Sequence, residues 1–283
     1  MLTYLPPKVK EKIIRKLLFS LGVGSGGLIE SSGEDMVIKL LKTLPYFSSK
    51  DNLCVFDVGA NVGKYLTSCV SILDKIQLTP PPQQNLKNLN STITPISIHC
   101  FEPSQFTFQK LCATTKSLNA PHIRIILNNC GLSDKQMLAT LYYNEYASGL
   151  ASLSKRRLEH HRINMDKSEE VEIMRLDTYC AQQDIRHIHL LKIDVEGHEL
   201  DVLNGGKEFF EKKAIDMVTF EFGGCNIDTR TYFQDFWYFF KTYDYKIYRI
   251  LPNGTFFYID TYNEEREQFL TSNYLVLSSN VSL

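Results

Sequence analysis

An acid, two glycines and an asparagine stand close together in the stretch CVFDVGANVGKY (54–65) and suit the binding of a small ligand. Asp57 ends an apolar run, and its carboxylate can accept hydrogen bonds from an ammonium group or from backbone amides. Gly59 can adopt a positive φ in a sharp turn, and Gly63 lets a following helix begin close to a ligand. Asn61 belongs to the few other residue types that tolerate the left-handed region. The stretch is therefore predicted to be a strand followed by a ligand-binding turn.

The glycine spacing indicates which cofactor this turn would hold. A dinucleotide site normally reads G-x-G-x-x-G, ahead of a helix whose N-terminus meets the pyrophosphate. Here Asn61 stands between two glycines that enclose three residues, and an acid precedes them. This D-x-G-x-N-x-G pattern favours a cofactor with an amino-acid end, and S-adenosylmethionine (SAM) is that cofactor. A plain structural turn and a nicotinamide-dependent oxidoreductase of similar fold are the alternatives.

Two further predicted strands also end in acids. The strand ISIHCFEP ends with Glu102, where an acid binds both ribose hydroxyls of an adenosine. The usual distance from the glycine turn is ~20 residues, and the insertion 79–95 explains the longer distance here. In the strand LLKIDVEG, Lys192 and Asp194 point to the same side, with Glu196 at the following turn. Because buried polar groups are costly unless paired or functional, Lys192 and Asp194 either form an ion pair or face a substrate.

The elements that must position these acids alternate along the chain. Repeated strand–helix–strand units predict an α/β fold: a doubly wound, mostly parallel sheet with helices on both faces and antiparallel strands late in the chain. In such sheets, ligands bind beyond the carboxyl ends of the strands. We expect an N-terminal helical segment (1–45) and one main domain (46–283), with 79–95 as an exposed loop. Residues 154–170 are predicted to be a charged, solvated segment, and TYFQDFWYFFKTY (231–243) a helix that packs in the core or offers rings to a sugar.

Composition excludes several classes of protein. The 283-residue chain is 43% hydrophobic and carries a net charge of -1, so it has no general attraction for nucleic acid. It lacks the ~20 consecutive apolar residues of a membrane-spanning helix. Its seven cysteines lack CxxC spacing, which argues against a zinc site and favours a reducing compartment, so we expect a cytoplasmic location. Residues 8–21 predict an amphipathic helix with a basic face, either packed on the domain or docked on a membrane surface.

Together these stretches resemble the FkbM-type methyltransferases, a SAM-dependent family, from about residue 33 to residue 224. FDVGANVG is similar to the family's cofactor turn, and HCFEPSQFTFQKL to its second strand and helix. RLDTYC followed by LLKIDVEGHELDVLNGG resembles its most distinctive block, and NNCGLSD, SGLASL and FEFGG resemble its other blocks. The resemblance implies a Rossmann-like methyltransferase fold and the transfer of a methyl group from SAM to a hydroxyl group.

The resemblance also implies a set of residues that bind SAM: Asp57, Gly59, Asn61, Gly63, Glu102, Ser104, Leu132, Ser133 and Ser152. The glycine turn would hold the methionine end and Glu102 the ribose. Ser104 and the turn at 130–133 would lie near the adenine. Ser152 would reach the methionine carboxylate.

On the acceptor side, the expected reaction is an in-line methyl transfer to a hydroxyl of a sugar or glycan, free or lipid-linked. Asp194 or Glu196 is expected to take the hydroxyl proton, with Lys192 orienting the carboxylate. His198 either serves as a base near neutral pH or only neighbours a helix start. A polyketide, a lipid or a protein is the alternative acceptor. A divalent ion held by Asp194 and Glu221 is a further option that the spacing leaves open.

Overall fold

The computed structural model describes residues 5–27, 32–43, 52–77, 96–281 and 283. The predicted exposed loop at 79–95 lies outside these residues. So does the predicted domain boundary at residue 45, which stays a prediction.

Helices and strands alternate through most of the chain, as the sequence predicts. The helices are α1 (Pro7–Ser20), α2 (Asp35–Leu40), α3 (Lys64–Gln77), α4 (Gln105–Ser117), α5 (Leu176–Gln182), α6 (Glu199–Gly205), α7 (Lys207–Glu211), α8 (Cys225–Thr229) and α9 (Phe233–Thr242). The strands are β1 (Leu53–Val58), β2 (Ile96–Phe101), β3 (Ile123–Asn128), β4 (Gly131–Ser133), β5 (Met137–Tyr143), β6 (Lys167–Arg175), β7 (Ile188–Ile193), β8 (Ile215–Phe222), β9 (Tyr245–Ile250), β10 (Phe256–Ile259) and β11 (Ser272–Ser278).

An eight-stranded sheet in the order β10-β9-β11-β8-β7-β1-β2-β3 forms the centre of the fold. The strands β3, β2, β1, β7 and β8 run parallel, whereas the last strand, β11, lies antiparallel between β8 and β9. These findings confirm the predicted mostly parallel α/β sheet with late antiparallel strands. The strand order reverses between β1 and β7, and such a switch point is where open α/β sheets bind ligands. A small second sheet, in the order β4-β6-β5, follows β3 in the chain.

Alternating residues of β1 face two separate cores, one on each side of the sheet. Phe56 and Val58 belong to the core that the later helices cover, and Val55 belongs to the core under α2, α3 and α4. Because β1 is buried on both faces, it reads as a continuous apolar run that only Asp57 interrupts.

The aromatic helix α9 packs in the core. Phe233, Phe236 and Phe240 are fully buried, so these rings are not available to stack on a sugar. Burial of each such side chain contributes about 1.5–3 kcal/mol to folding. One face of this stretch is therefore part of the core, whereas the rings of Tyr232 and Tyr238 are exposed.

The burial of side chains differs between the two helices of the N-terminal segment. Helix α1 has no buried residue, whereas Val37, Ile38 and Leu41, in and just after α2, are fully buried against the main sheet. Between the two helices, the N–H of Gly26 donates to the carbonyl of Thr271, the residue before β11, at 3.0 Å. In the part of the chain that the structure describes, no helix is both long and apolar enough to cross a bilayer.

Candidate active site

A cleft of about 1520 Å³ opens beyond the carboxyl ends of β1, β2, β7 and β8. Ligand pockets usually hold about 300–1,000 Å³, so the cleft has room for a nucleoside and a second molecule. Eight of the predicted site residues line it: Gly59, Asn61, Glu102, Leu132, Ser152, Lys192, Asp194 and Glu196. The other four, Asp57, Gly63, Ser104 and Ser133, lie behind its wall.

The glycine turn contains three residues with positive φ: Gly59, Asn61 and Gly63. Gly59 has φ 82° and Asn61 has φ 47°, in agreement with the residue types that the sequence offers there. A Cβ on Gly59 would clash with the carbonyl oxygen of Asp194, because the end of β7 crosses directly over the turn. Gly63 has φ 87°, and a Cβ there would lie 2.9 Å from Cδ1 of Leu111 in α4, so glycine suits this position whether or not a ligand binds beside it. The turn is therefore fixed by packing before any ligand arrives.

An ion pair lies beneath the turn. Asp57 is 0% exposed, and the Nζ of Lys192 lies 3.0 Å from its Oδ1 and 3.6 Å from Oδ2 of Asp194. The same Nζ donates to the carbonyl of Gly59 at 3.1 Å. Burial raises the pKa of Asp57, and the nearby ammonium of Lys192 counteracts that rise. Burial also favours the neutral amine of Lys192, but the carboxylates of Asp57 and Asp194 raise its pKa above the usual value. The lysine therefore orients Asp194, and its contact with Asp57 turns that carboxylate away from the cleft.

Glu102 ties the turn to the end of β2. Its Oε2 accepts the N–H of Asn61 and its Oε1 accepts the N–H of Ser104, both at 2.9 Å. Burial raises the pKa of Glu102 to about 7, although these two hydrogen bonds oppose the rise. Ser104 is the N-cap of α4, where its Oγ accepts the N–H of Thr107 at 3.4 Å. Glu102 lines the cleft with acceptor capacity that two backbone bonds do not exhaust.

Glu196 is held by a buried arginine. Arg156 is 9% exposed; its Nη1 pairs with the carboxylate of Glu196, and its Nε lies 3.8 Å from Oδ2 of Asp228. Burial and the charge of Asp194 raise the pKa of Glu196 to about 8, while Arg156 pulls it down. Ser152 donates its Oγ to the carbonyl of Glu196 at 2.8 Å and so braces the left-handed backbone at that residue.

The prediction of a solvated segment at 154–170 is wrong for part of its length. Arg156, Leu158 and Met165 are buried, and residues 156–158 line the cleft. The reason is that the acids of the cleft neutralise Arg156, a contact across 40 residues of sequence that local charge patterning does not reveal.

His198 stands in a chain of hydrogen bonds at the cleft wall. Its Nδ1 lies 2.8 Å from Oδ2 of Asp201, and its Nε2 lies 3.0 Å from Oγ of Ser154. The carboxylate fixes the proton on Nδ1, so Nε2 is the nitrogen that can accept a proton. The spacing of His198 and Asp201, three residues apart on one helical turn, is the signal in the sequence that indicates this pair.

Acids from separate elements give the cleft a negative lining. Glu34, Glu102, Asp194, Glu196 and Glu221 all line it, and Glu34 precedes the region where the sequence indicated a site. Burial raises the pKa of Glu34 to about 7 and that of Glu221 well above its usual value. A cation bound among these carboxyl groups would favour their ionised form, so the lining suits a positively charged ligand. SAM carries a sulfonium and an ammonium group, and the acids that line the cleft suit these positive charges.

One group of side chains elsewhere has the composition of a metal site. Within the described residues, the ligand atoms of His187, His189 and Asp216 lie within 4.8 Å of one another, at the edge of the sheet opposite the cleft. Nδ1 of His189 accepts the N–H of Cys54 at 3.0 Å. The neutral ring therefore carries its proton on Nε2 and offers no lone pair to an ion there. The group joins the starts of β1, β7 and β8, and it does not include Asp194 or Glu221.

Comparisons with known proteins indicate the family of the chain. The family described as Methyltransferase FkbM domain matches residues 57–247. A 2-O-methyltransferase NoeI of Sinorhizobium fredii (strain NBRC 101917 / NGR234) is 24% identical in an alignment of 184 residues. The match covers 62% of this chain and 66% of that protein, just under two thirds of its length.

Two solved structures are also similar to the chain. A methyltransferase FkbM from Methylobacillus flagellatus KT aligns with a TM-score of 0.40 and 15% identity over 83% of this chain and 47% of that one. A precorrin-6y C5,15-methyltransferase from Geobacter metallireducens GS-15 aligns with a TM-score of 0.36 and 8% identity over 86% of this chain and 88% of that one. These TM-scores are low, and the sequence match to residues 57–247 carries the weight of the comparison.

Proposed function

The chain belongs to the FkbM methyltransferase family, and from this premise we propose that it is a SAM-dependent O-methyltransferase that acts on a hydroxyl group of a sugar or glycan. The observation that carries the proposal is the position of Asp194. Its side chain is 44% exposed in a cleft wide enough for two ligands, next to the glycine turn and held by Lys192. The relative named as a 2-O-methyltransferase supports an oxygen atom as the acceptor.

SAM, when bound, would supply a methyl group on a sulfonium, and the acceptor would attack the methyl carbon in line with the bond to sulfur. The residues of the glycine turn and Glu102 are the ones that would hold it, because they line the cleft at the ends of β1 and β2. The acids around them favour its positive charge. The ion pair of Lys192 and Asp57 lies beneath the turn and supports it.

The protein's chemical contribution is the removal of one proton. Asp194 would accept the proton of the acceptor hydroxyl at a carboxylate oxygen, as the hydroxyl oxygen takes up the methyl group that SAM would supply and the thioether is left behind. Lys192 keeps the Asp194 carboxylate in position. Glu196 is a poorer candidate because Arg156 occupies its carboxylate, and Nε2 of His198 is the second candidate because Asp201 fixes its tautomer.

A lipid-linked acceptor is favoured by the rim of the cleft. Ile227 and Leu270 line the cleft and are 60% and 50% exposed. Exposed apolar side chains beside a polar interior suit an acceptor with an apolar part next to its hydroxyl groups. A polyketide or a protein remains the alternative acceptor. The seven free cysteines fit a reducing compartment, and the proposal includes the cytoplasm as the location.

The proposal is tested by incubating the protein with SAM labelled in its methyl group and a panel of free glycans, lipid-linked glycans, polyketides and proteins. We expect label in a glycan fraction, in a form that mild alkali does not release, because a methyl ether resists alkali and a methyl ester is hydrolysed to methanol. S-adenosylhomocysteine should appear in equal amount. Label on nitrogen, or label that alkali releases, would contradict transfer to a hydroxyl group.

A further inference from the structure

Helix α1 presents an apolar stripe to solvent. Ile14, Leu17 and Leu21 are 55%, 57% and 47% exposed, and their spacing places them on one side of the helix. No residue of α1 is buried, so the remainder of the described chain does not cover this stripe. The prediction that the helix packs on the domain therefore describes only its half-buried residues, such as Ile13 and Leu18.

The other side of α1 is basic. The helix carries five basic residues and one acid, Glu11, in a chain whose net charge is -1. Lys8, Lys12 and Lys16 follow one another at intervals of four residues and share a face that points away from Leu17. Arg15 pairs with Glu11 at 2.7 Å, and both side chains are exposed.

These two faces together define the partner. An exposed apolar stripe on one side and lysines on the other are the pattern of helices that lie in the surface of an anionic bilayer, which offers acyl chains to the stripe and negatively charged head groups to the basic residues. A second copy of the chain fits less well, because each α1 carries five basic residues and one acid, and two such positively charged helices side by side would repel each other. We propose that α1 lies in the plane of an anionic membrane surface, with its apolar stripe inserted between the lipids.

The position of α1 in the fold gives this contact a consequence. Arg249 donates from Nη1 to the carbonyl of Leu21 at 3.1 Å and so fixes the end of the helix to β9. Six residues later, Gly27 lines the cleft, and a chain of that length spans at most about 22 Å. A membrane-bound α1 therefore brings the rim of the cleft close to the lipid head groups. That the cleft then meets a lipid-linked acceptor rests on the proposed function, whereas the binding of α1 to lipid does not.

The test is co-sedimentation of the full chain with vesicles. The probes are vesicles of phosphatidylcholine alone and of equal parts phosphatidylcholine and phosphatidylserine. The variants are Leu17→Asp, which breaks the apolar stripe, and a double variant, Lys12→Gln with Lys16→Gln, which removes two charges. Leu138→Asp is the matched control, because Leu138 is an exposed leucine of the small sheet, 62% exposed.

We expect the parent chain and the Leu138→Asp variant to bind the mixed vesicles and to be released by salt. The double lysine variant should bind about 30-fold more weakly, from the usual effect of each basic residue at such a surface. Leu17→Asp should abolish binding while the SAM-induced rise in melting temperature is unchanged, so that a failure of this proposal is distinguishable from a failure of the proposed function. No binding to the mixed vesicles, or equal binding by Leu17→Asp, would overturn the proposal. So would a parent dimer in solution that Leu17→Asp converts to a monomer, since the stripe would then be an interface between copies.

Discussion

Asp57 and Lys192 are register partners on the adjacent parallel strands β1 and β7, and the Nζ of Lys192 lies 3.0 Å from Oδ1 of Asp57. The pair sits at the switch point of the sheet, directly below the turn that begins at Gly59. Lys192 also contacts Asp194, so one ammonium group connects the end of the first strand to the proposed proton acceptor. The sequence left an ion pair between Lys192 and Asp194 and a contact with the substrate as alternatives. The structure contains the ion pair, and both residues also line the cleft, so the substrate contact stays a prediction.

Replacing Lys192 by Met should destabilise the fold strongly. The change leaves the buried carboxylate of Asp57 without a counter-charge, which typically costs about 3–5 kcal/mol of unfolding free energy. Urea denaturation followed by circular dichroism measures the loss. The double variant Asp57→Leu with Lys192→Met should recover most of the stability, because it removes both charges together.

Lys135→Met is the control for the loss of a lysine, because the Lys135 side chain is 73% exposed. Its unfolding free energy should stay within about 0.5 kcal/mol of the parent value. If Lys192→Met were equally mild, Asp57 would have to be neutral in the folded protein, and the ion pair would play no part in the site.

Asp194→Asn should suppress methyl transfer while SAM still binds. The amide cannot take the proton of the acceptor, and the loss of a positioned base typically costs 10²–10⁴-fold in turnover. Lys192 keeps Asp57 as a partner in this variant, so the fold should be retained. Single-turnover rates and calorimetric SAM titrations of the same preparations separate the two effects, with the exposed Asp260→Asn as control. A variant that turns over as fast as the parent would remove Asp194 from the chemistry and favour His198.

Gly59→Ala should damage the turn. Gly59 has φ 82°, and an added Cβ would meet the backbone oxygen of Asp194, which cannot move without disturbing β7. We expect a loss of about 2–4 kcal/mol in unfolding free energy. Gly149→Ala is the matched control, since a Cβ there has nothing within 4 Å. An equal effect of the two substitutions would show that the crossing of β7 over the turn is not a constraint.

Stability and SAM binding should both depend on pH through Glu102. Burial raises the pKa of Glu102 from 4.5 to about 7, so between these values the folded protein holds a proton that the unfolded chain has released. Its contribution to stability is therefore full at low pH and is lost as the pH rises through about 7. A cation favours the ionised carboxylate, so SAM should bind more tightly at pH 8 than at pH 6, with release of protons.

The variant Glu102→Gln isolates this contribution. From pH 5 to pH 8, the unfolding free energy of the parent should fall relative to that of the variant. The affinity of the variant for SAM should depend less on pH than that of the parent. Calorimetry in buffers of different ionisation enthalpy counts the protons that binding releases. Parent and variant curves that run parallel across this range would contradict a raised pKa at Glu102.

How much of the site the sequence reveals depends on how local each contact is. Gly59, Asn61, Glu102 and Asp194 lie at strand ends, and strand ends are readable from apolar runs and turn residues. The family resemblance then assigned them to one cleft. The roles of these residues toward SAM and the acceptor stay predictions.

Some residues in and around the cleft were not predicted from the sequence. Glu34 lies just before α2 and lines the cleft, although nothing in the local sequence marks it as a site residue. Arg156 and Ser154 lie in a segment without apolar periodicity, and their partners Glu196 and His198 are 40 and 44 residues away in sequence. Charge patterning within a segment predicts a solvated surface for such residues, because the neutralising acid is not visible nearby. The small sheet was also not separable from the main one, since β4 follows β3 after only two residues.

The central claim is that this acid-lined cleft binds SAM, and calorimetric titration tests it most directly. We expect SAM to bind the parent chain at one site and NAD not to bind. Glu102→Ala should weaken SAM binding by the ~1.5–3 kcal/mol of a hydrogen bond to a charged group. Binding of NAD in place of SAM, or SAM affinity unchanged in Glu102→Ala, would contradict it.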